Sequence, residues 1–191
     1  MTNICTVLTG TKYSVDDVNK LYHSLQKDTT KQFNYYCYTD HTGFDDGVKV
    51  IPITKKDKKL QWYKLDYFKK DIIDGEDIVL MDIDQVIIRN CDFIFDTINN
   101  NEFRGTHRFW WRWREDKENK KLALSGSIYK FKNGEHQYIV DEFEKDIVKW
   151  HENDFYVQTC IEHDYKKWSG NSYLLNEDWH KDVKVIHYAG N

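Results

Sequence analysis

The sequence predicts an α/β fold built on a mostly parallel sheet. Two observations carry this prediction: short apolar runs alternate with segments of helical periodicity, and Thr9, Asp40 and Asp82 each stand at the C-terminal end of such a run. Alternation of strand and helix signals crossover connections between parallel strands, and ligands of such sheets collect beyond the C-terminal strand ends.

The first run, residues 4–10 (ICTVLTG), reads as a strand closed by Gly10. Residues 14–27 follow with apolar side chains at Val15, Val18, Leu21, Tyr22 and Leu25, the spacing of one helix face. Ser14 and Asp17 have the spacing of a capping box, which starts the helix there. Residues 33–40 (FNYYCYTD) and 48–53 (VKVIPI) read as the second and third strands, 60–70 (LQWYKLDYFKK) as a helix, and 77–81 (DIVLM) as the fourth strand. The second half is less regular. A strand over 122–131 (LALSGSIYKF), helical periodicity over 138–151 and a closing strand in 183–191 (VKVIHYAGN) follow an aromatic, basic stretch at 104–116, RGTHRFWWRWRED.

With 191 residues and no Pro/Gly-rich or low-complexity linker, the chain is expected to form one domain over 1–191. The formal charge of -4, spread over many residues of both signs, excludes a basic field that would recruit nucleic acid or an anionic membrane. An anionic ligand must therefore be held locally. No apolar stretch reaches the length of a membrane span, and the opening MTNICTVLTG lacks the flanks of a signal peptide, so a cytoplasmic location is expected. Cys5, Cys37, Cys91 and Cys160 show no CxxC spacing and are expected as reduced core thiols.

The fourth strand runs straight into an acidic pair: residues 77–90 read DIVLMDIDQVIIRN, with Asp82 and Asp84 inside an apolar segment. A buried carboxylate costs several kcal/mol unless it is paired, hydrogen-bonded or bound to a cation. Residues i and i+2 of an extended segment point to one side, so both carboxylates can face a single ion, and hard oxygen ligands suit Mg²⁺ or Mn²⁺. Turn or capping aspartates are the plain alternative. His187, in VIHYAG, is a second polar residue at the end of an apolar strand. It reads as a hydrogen-bonded core histidine or, if its strand neighbours the acidic one, as a nitrogen ligand favouring Mn²⁺.

The order of these motifs resembles the metal-dependent glycosyltransferases of GT-A fold, and within them the glycogenin-like, retaining family. The resemblance rests on LTG with Tyr13, YTD, WYKLDYF, MDIDQVI, the Ser-Gly-Ser strand and VIHYAG, and spans nearly the whole chain. It implies a Rossmann-like, three-layer α/β/α nucleotide-sugar-binding domain, with a nucleotide-binding half over about 1–90 and a donor-sugar and acceptor half over about 91–191. It implies Mn²⁺, with Mg²⁺ as substitute, on Asp82, Asp84 and His187, and a UDP-sugar donor, UDP-glucose or UDP-galactose. Leu8, Thr9, Gly10 and Tyr13 are implied around base and ribose, with Asp40 and Ile83 also on the nucleotide. Lys64 is implied at the diphosphate or sugar, Ser125, Gly126 and Ser127 along the donor-sugar pocket, and Gln158 at the reactive face of the sugar. Asp84, Gln158 and Lys64 form the implied catalytic set.

Several positions depart from the family pattern. Leu124 replaces an Asn before Ser125, and Val157 replaces an Asp before Gln158. Family members continue past the His-x-x-Gly with a diphosphate-gripping Lys, whereas this sequence ends at Asn191, so Lys64 or one of Arg104, Arg108, Arg112 and Arg114 is expected to supply that charge. Solvated Lys64, turn-forming Asp40 and a strand bend at Gly126 are the plain alternatives. The Trp/Arg stretch reads as an acceptor-side wall or lid, or as a strand with one packed face. The acceptor is left open among protein, glycan, lipid and modified nucleic acid, and so is homo-oligomerisation.

Two other readings compete. DIDQV after an apolar strand also resembles the nucleophile motif of haloacid-dehalogenase-type phosphatases, with Asp82 phosphorylated, Asp84 as acid/base and Mg²⁺ alongside. That motif normally opens the chain, and here it lies mid-chain. A nucleotide-sugar-binding domain without turnover is the third.

Overall fold

In the computed structural model, residues 1–55, 58, 60–107, 124–145, 157, 166–167, 172–173 and 184–187 are described. β1 (Thr2–Leu8) leads through a turn into α1 (Val15–Asp28), then β2 (Phe33–Thr39) and β3 (Val48–Pro52). A 3₁₀ helix at Leu60–Phe68 precedes β4 (Asp77–Met81) and β5 (Gln85–Ile87), and a short 3₁₀ turn, Asp92–Phe95, leads towards β6 (Arg104–His107). β7 (Leu124–Lys132), α2 (Gln137–Lys145), β8 (Lys166–Lys167), β9 (Ser172–Tyr173) and β10 (Val185–His187) follow.

The main sheet has seven strands in the order β3-β2-β1-β4-β7-β6-β8. β3, β2, β1 and β4 run parallel, β7 runs antiparallel to both β4 and β6, and β8 lies parallel to β6. Strand alternation divides the core between the two faces. On one, Ile4, Leu8, Val79, Met81 and Ile128 pack with Val18, Leu21 and Leu25 of α1. On the other, Cys5, Ile78, Leu80, Tyr129 and Phe131 pack with Trp62, Leu65, Tyr67 and Phe68 of the 3₁₀ helix and Ile139, Val140 and Phe143 of α2. That is the three-layer α/β/α arrangement with a mostly parallel sheet. No helix among the described residues is long and apolar enough to cross a membrane.

α1 begins as its capping box dictates: Ser14 Oγ accepts from the Asp17 amide, and the Asp17 carboxylate accepts from the Ser14 amide at 2.8 Å. The segment expected as a helix over 60–70 is instead a 3₁₀ helix of nine residues. Trp62, Tyr63, Leu65, Asp66, Tyr67 and Phe68 are all buried, so the segment is enclosed on several sides and has no single apolar stripe to dock. Cys5, Cys37 and Cys91 are buried free thiols, and burial pushes the Cys37 thiol up to about 12. Cys160 lies outside the described residues.

A three-stranded sheet, β5-β10-β9, stands beside the main one. β10 runs antiparallel to β5 with His187 opposite Gln85, Ile186 opposite Val86 and Val185 opposite Ile87. Residues a hundred positions apart are thus joined immediately after Asp84.

Candidate functional site

The first turn after β1 and the first turn after β4 meet at the C-terminal ends of neighbouring parallel strands. Between them lies a cavity of about 250 Å³ lined by Val7, Thr9, Lys12, Tyr13, Leu60, Gln61, Lys64, Asp82, Ile83 and Asp84. Gly10 shapes its rim: its φ of +70° suits glycine, and a Cβ there would lie 2.9 Å from Leu60 Cδ2.

Each carboxylate of the acidic pair has a different partner. Asp82 is ion-paired through Oδ1 with the Lys64 ammonium, and its side chain is 21% exposed against 14% for Lys64. The same ammonium lies 3.4 Å from the Gly126 carbonyl oxygen. The Asp82 amide donates to the Ser127 carbonyl at 2.9 Å, which carries the β4–β7 ladder one residue past Met81 and fixes the backbone of the pair. Asp84 Oδ2 accepts from the Tyr13 hydroxyl at 2.9 Å, and the Gln85 side-chain Nε2 donates to Oδ1 at 3.4 Å. Burial first, and then this hydrogen bond to a carboxylate, hold the Tyr13 phenol well above its ordinary value, so it stays a donor. Lys12 places its ammonium 4.9 Å from the centre of the Tyr13 ring, at cation–π distance.

Of the residues named from the sequence, Thr9, Tyr13, Lys64, Asp82, Ile83 and Asp84 line this one cavity, with Gly10 at its edge. Leu8 is buried in the core against α1. Asp40 is exposed after β2 and is not part of the cavity wall. Ser125 and Ser127 are buried in β7, with their hydroxyls 3.0 Å apart and Ser127 Oγ 2.7 Å from Thr106 Oγ1. A shift in the β6–β7 register between Gly105 and Thr106 brings these three hydroxyls together beside the Gly126 carbonyl that faces Lys64. Lys64 is therefore not the solvated surface lysine of the plain alternative.

Arg104 is engaged by Glu102, at 2.6 Å from its Nη2. Val157 is packed in the core with α2 and the 3₁₀ helix. The β10 register places the His187 backbone opposite Gln85, next to the acidic pair; its side chain, like Gln158, Arg108, Arg112 and Arg114, lies outside the described residues. Among the described residues no group of three His, Cys, Asp or Glu side chains is set to hold a metal ion. Asp82 and Asp84 offer hard oxygens on one wall, a donor set that fits Mg²⁺ or Mn²⁺.

Sequence reasoning missed Val7, Lys12, Leu60 and Gln61 on the cavity wall, and Thr106 against the Ser127 hydroxyl. Lys12 carried a signal, since it lies in the turn between the first strand and the capped helix. Thr106 carried none, because its partner Ser127 is brought to it only by strand pairing.

No family model matches the chain, and no curated protein matches it. Solved structures share its fold. An active-site mutant of LgtC superposes with a TM-score of 0.71 at 11% identity, covering 99% of this chain and 88% of that one. The galactosyltransferase LgtC in complex with donor and acceptor sugar analogs gives 0.68 at 10% identity, covering 98% and 87%. The apo-form glycosyltransferase GlyE of Streptococcus pneumoniae TIGR4 gives 0.67 at 11% identity, covering 98% of this chain and 54% of GlyE. The chain thus has the GT-A architecture of these glycosyltransferases.

Proposed function

We propose that the chain is a metal-dependent glycosyltransferase that moves a hexose from a UDP-sugar, UDP-glucose or UDP-galactose, to a hydroxyl acceptor with retention, in the manner of the glycogenin-like family. The observation that carries this reading is the shared cavity wall of Asp82, Asp84, Tyr13 and Lys64 at the C-terminal ends of β1 and β4. The fold of LgtC and GlyE supports it. In this reading residues 1–90 hold the nucleotide and 91–191 the donor sugar and acceptor.

Asp82, Asp84 and His187 would hold Mn²⁺ or Mg²⁺, which when bound neutralises the diphosphate leaving group as a Lewis acid. Tyr13 orients Asp84 through its hydroxyl, and its ring together with Thr9 and Ile83 offers a surface for base and ribose. Lys64 and Lys12 bring positive charge to the same cavity, where anionic phosphates gain most from it. Release of UDP from UDP-glucose or UDP-galactose, measured with Mn²⁺ and with EDTA, tests the reading. Metal-dependent release supports it; phosphatase activity without any action on either UDP-sugar would replace it with the haloacid-dehalogenase reading.

A further inference from the structure

Lys64 already pairs with the carboxylate that a cation would need. Its ammonium sits on Asp82 Oδ1, and the Asp82 backbone cannot retreat, because its amide is bound to the Ser127 carbonyl at 2.9 Å. An ammonium and a divalent ion on one carboxylate stand close enough to repel, so each weakens the other's hold. Lys64 reaches Asp82 from the 3₁₀ helix Leu60–Phe68 on a flexible four-carbon stem, inside a cavity that Gln61 and Lys12 also line. Its ammonium can therefore swing within the cavity while its backbone stays packed between Tyr63 and Leu65 in the core.

We infer that Lys64 is an exchangeable cation on Asp82 that couples metal binding to nucleotide binding. A divalent ion entering alone has to bind against the ammonium's repulsion or push it aside. An ion entering with a nucleoside diphosphate gives that ammonium a phosphate oxygen to move to. Metal and diphosphate then strengthen each other's binding, and by linkage the factor is the same in both directions. A lysine fixed in place would act differently: its repulsion of the metal and its attraction for phosphate would simply add, with no effect on the coupling. The inference rests on the nucleotide-sugar reading and goes beyond it by naming a residue that adds to the direct attraction between the two ligands.

The test is titration of Mn²⁺, followed by the paramagnetic resonance signal of the free ion, with and without UDP. The wild-type protein is compared with Lys64→Met, and Lys64→Gln serves should the methionine variant fail to fold. The expected result is about tenfold tighter binding of Mn²⁺ alone in the variant, with the mutual strengthening by UDP reduced about tenfold. A folded variant with unchanged coupling overturns the inference and leaves the nucleotide-sugar reading standing. A wild-type protein that binds no UDP with any Mn²⁺ concentration overturns both.

Discussion

Strand β4 carries an aspartate–lysine pair at each end, and the two differ in what surrounds the ammonium. At its start Asp77 meets Lys130, a side chain with 0% exposure whose Nζ lies 3.3 Å from Asp77 Oδ2. The same ammonium donates to the carbonyls of Ile94 at 3.1 Å and Asp96 at 2.8 Å, so its three protons meet three acceptors. Burial first pulls the Lys130 ammonium below the ordinary lysine range, and Asp77 pulls it back up. At the other end Asp82 meets Lys64 on the wall of an open cavity, in a turn that also carries Asp84. A pair wrapped in backbone carbonyls fastens β7 and the Asp92–Phe95 turn to β4. A pair bordering a cavity can change partners.

The sharpest way to break this contrast is to neutralise the cavity end. Asp82→Asn with Asp84→Asn is expected to lower metal-dependent UDP binding by about a hundredfold or more, in line with loss of two direct ligands, while the melting temperature stays near wild type. Calorimetry and thermal melts read both; unfolding of the double variant would make the cavity pair structural after all. The fastening end should respond in the opposite sense. Lys130→Met leaves Asp77 and two carbonyls without their buried cation and is expected to cost about 3 kcal/mol of stability in denaturant unfolding, with the nucleotide affinity of the folded protein unchanged.

A smaller effect is expected from Tyr13→Phe, which removes the hydroxyl on Asp84 and keeps the ring. Mn²⁺ affinity in the presence of UDP should fall about tenfold, the usual cost of losing an orienting partner of a metal ligand. An unchanged metal affinity would confine Tyr13 to the nucleotide base. The smallest effect lies near α2. His136 is buried with its ring edge-on to Phe103 and Phe131, and burial lowers its pKa from the ordinary 6.5. The unfolded chain therefore binds the proton more readily, so this contribution is whole above pH 6.5 and is lost as pH falls through the lowered value. His136→Phe should flatten the fall in stability below about pH 6.5, as read by melts at stepped pH.

Much of the fold of the first ninety residues was legible in the sequence because its signals are local. The Ser14–Asp17 capping box marks the start of α1, and the apolar runs of β1, β2 and β4 need no partner to be recognised. Long-range pairing was not legible. His187 comes beside the acidic pair only through the β10–β5 ladder, and the antiparallel direction of β7 follows from its place between β4 and β6. The segment Leu60–Phe68 reads as a regular helix in sequence because its periodicity says nothing of enclosure on several sides. The acidic pair, expected as buried, is only partly so, yet each carboxylate has a partner. Their identities, Lys64 for Asp82 and Tyr13 for Asp84, depend on which turns the sheet brings together.

The most direct test of the account is calorimetric titration of UDP into the wild-type protein with Mn²⁺ and again with EDTA. Saturable binding with the metal and its loss with EDTA are expected. Equal binding in both conditions would contradict a metal role for Asp82 and Asp84, and no binding in either would remove the nucleotide-sugar site altogether.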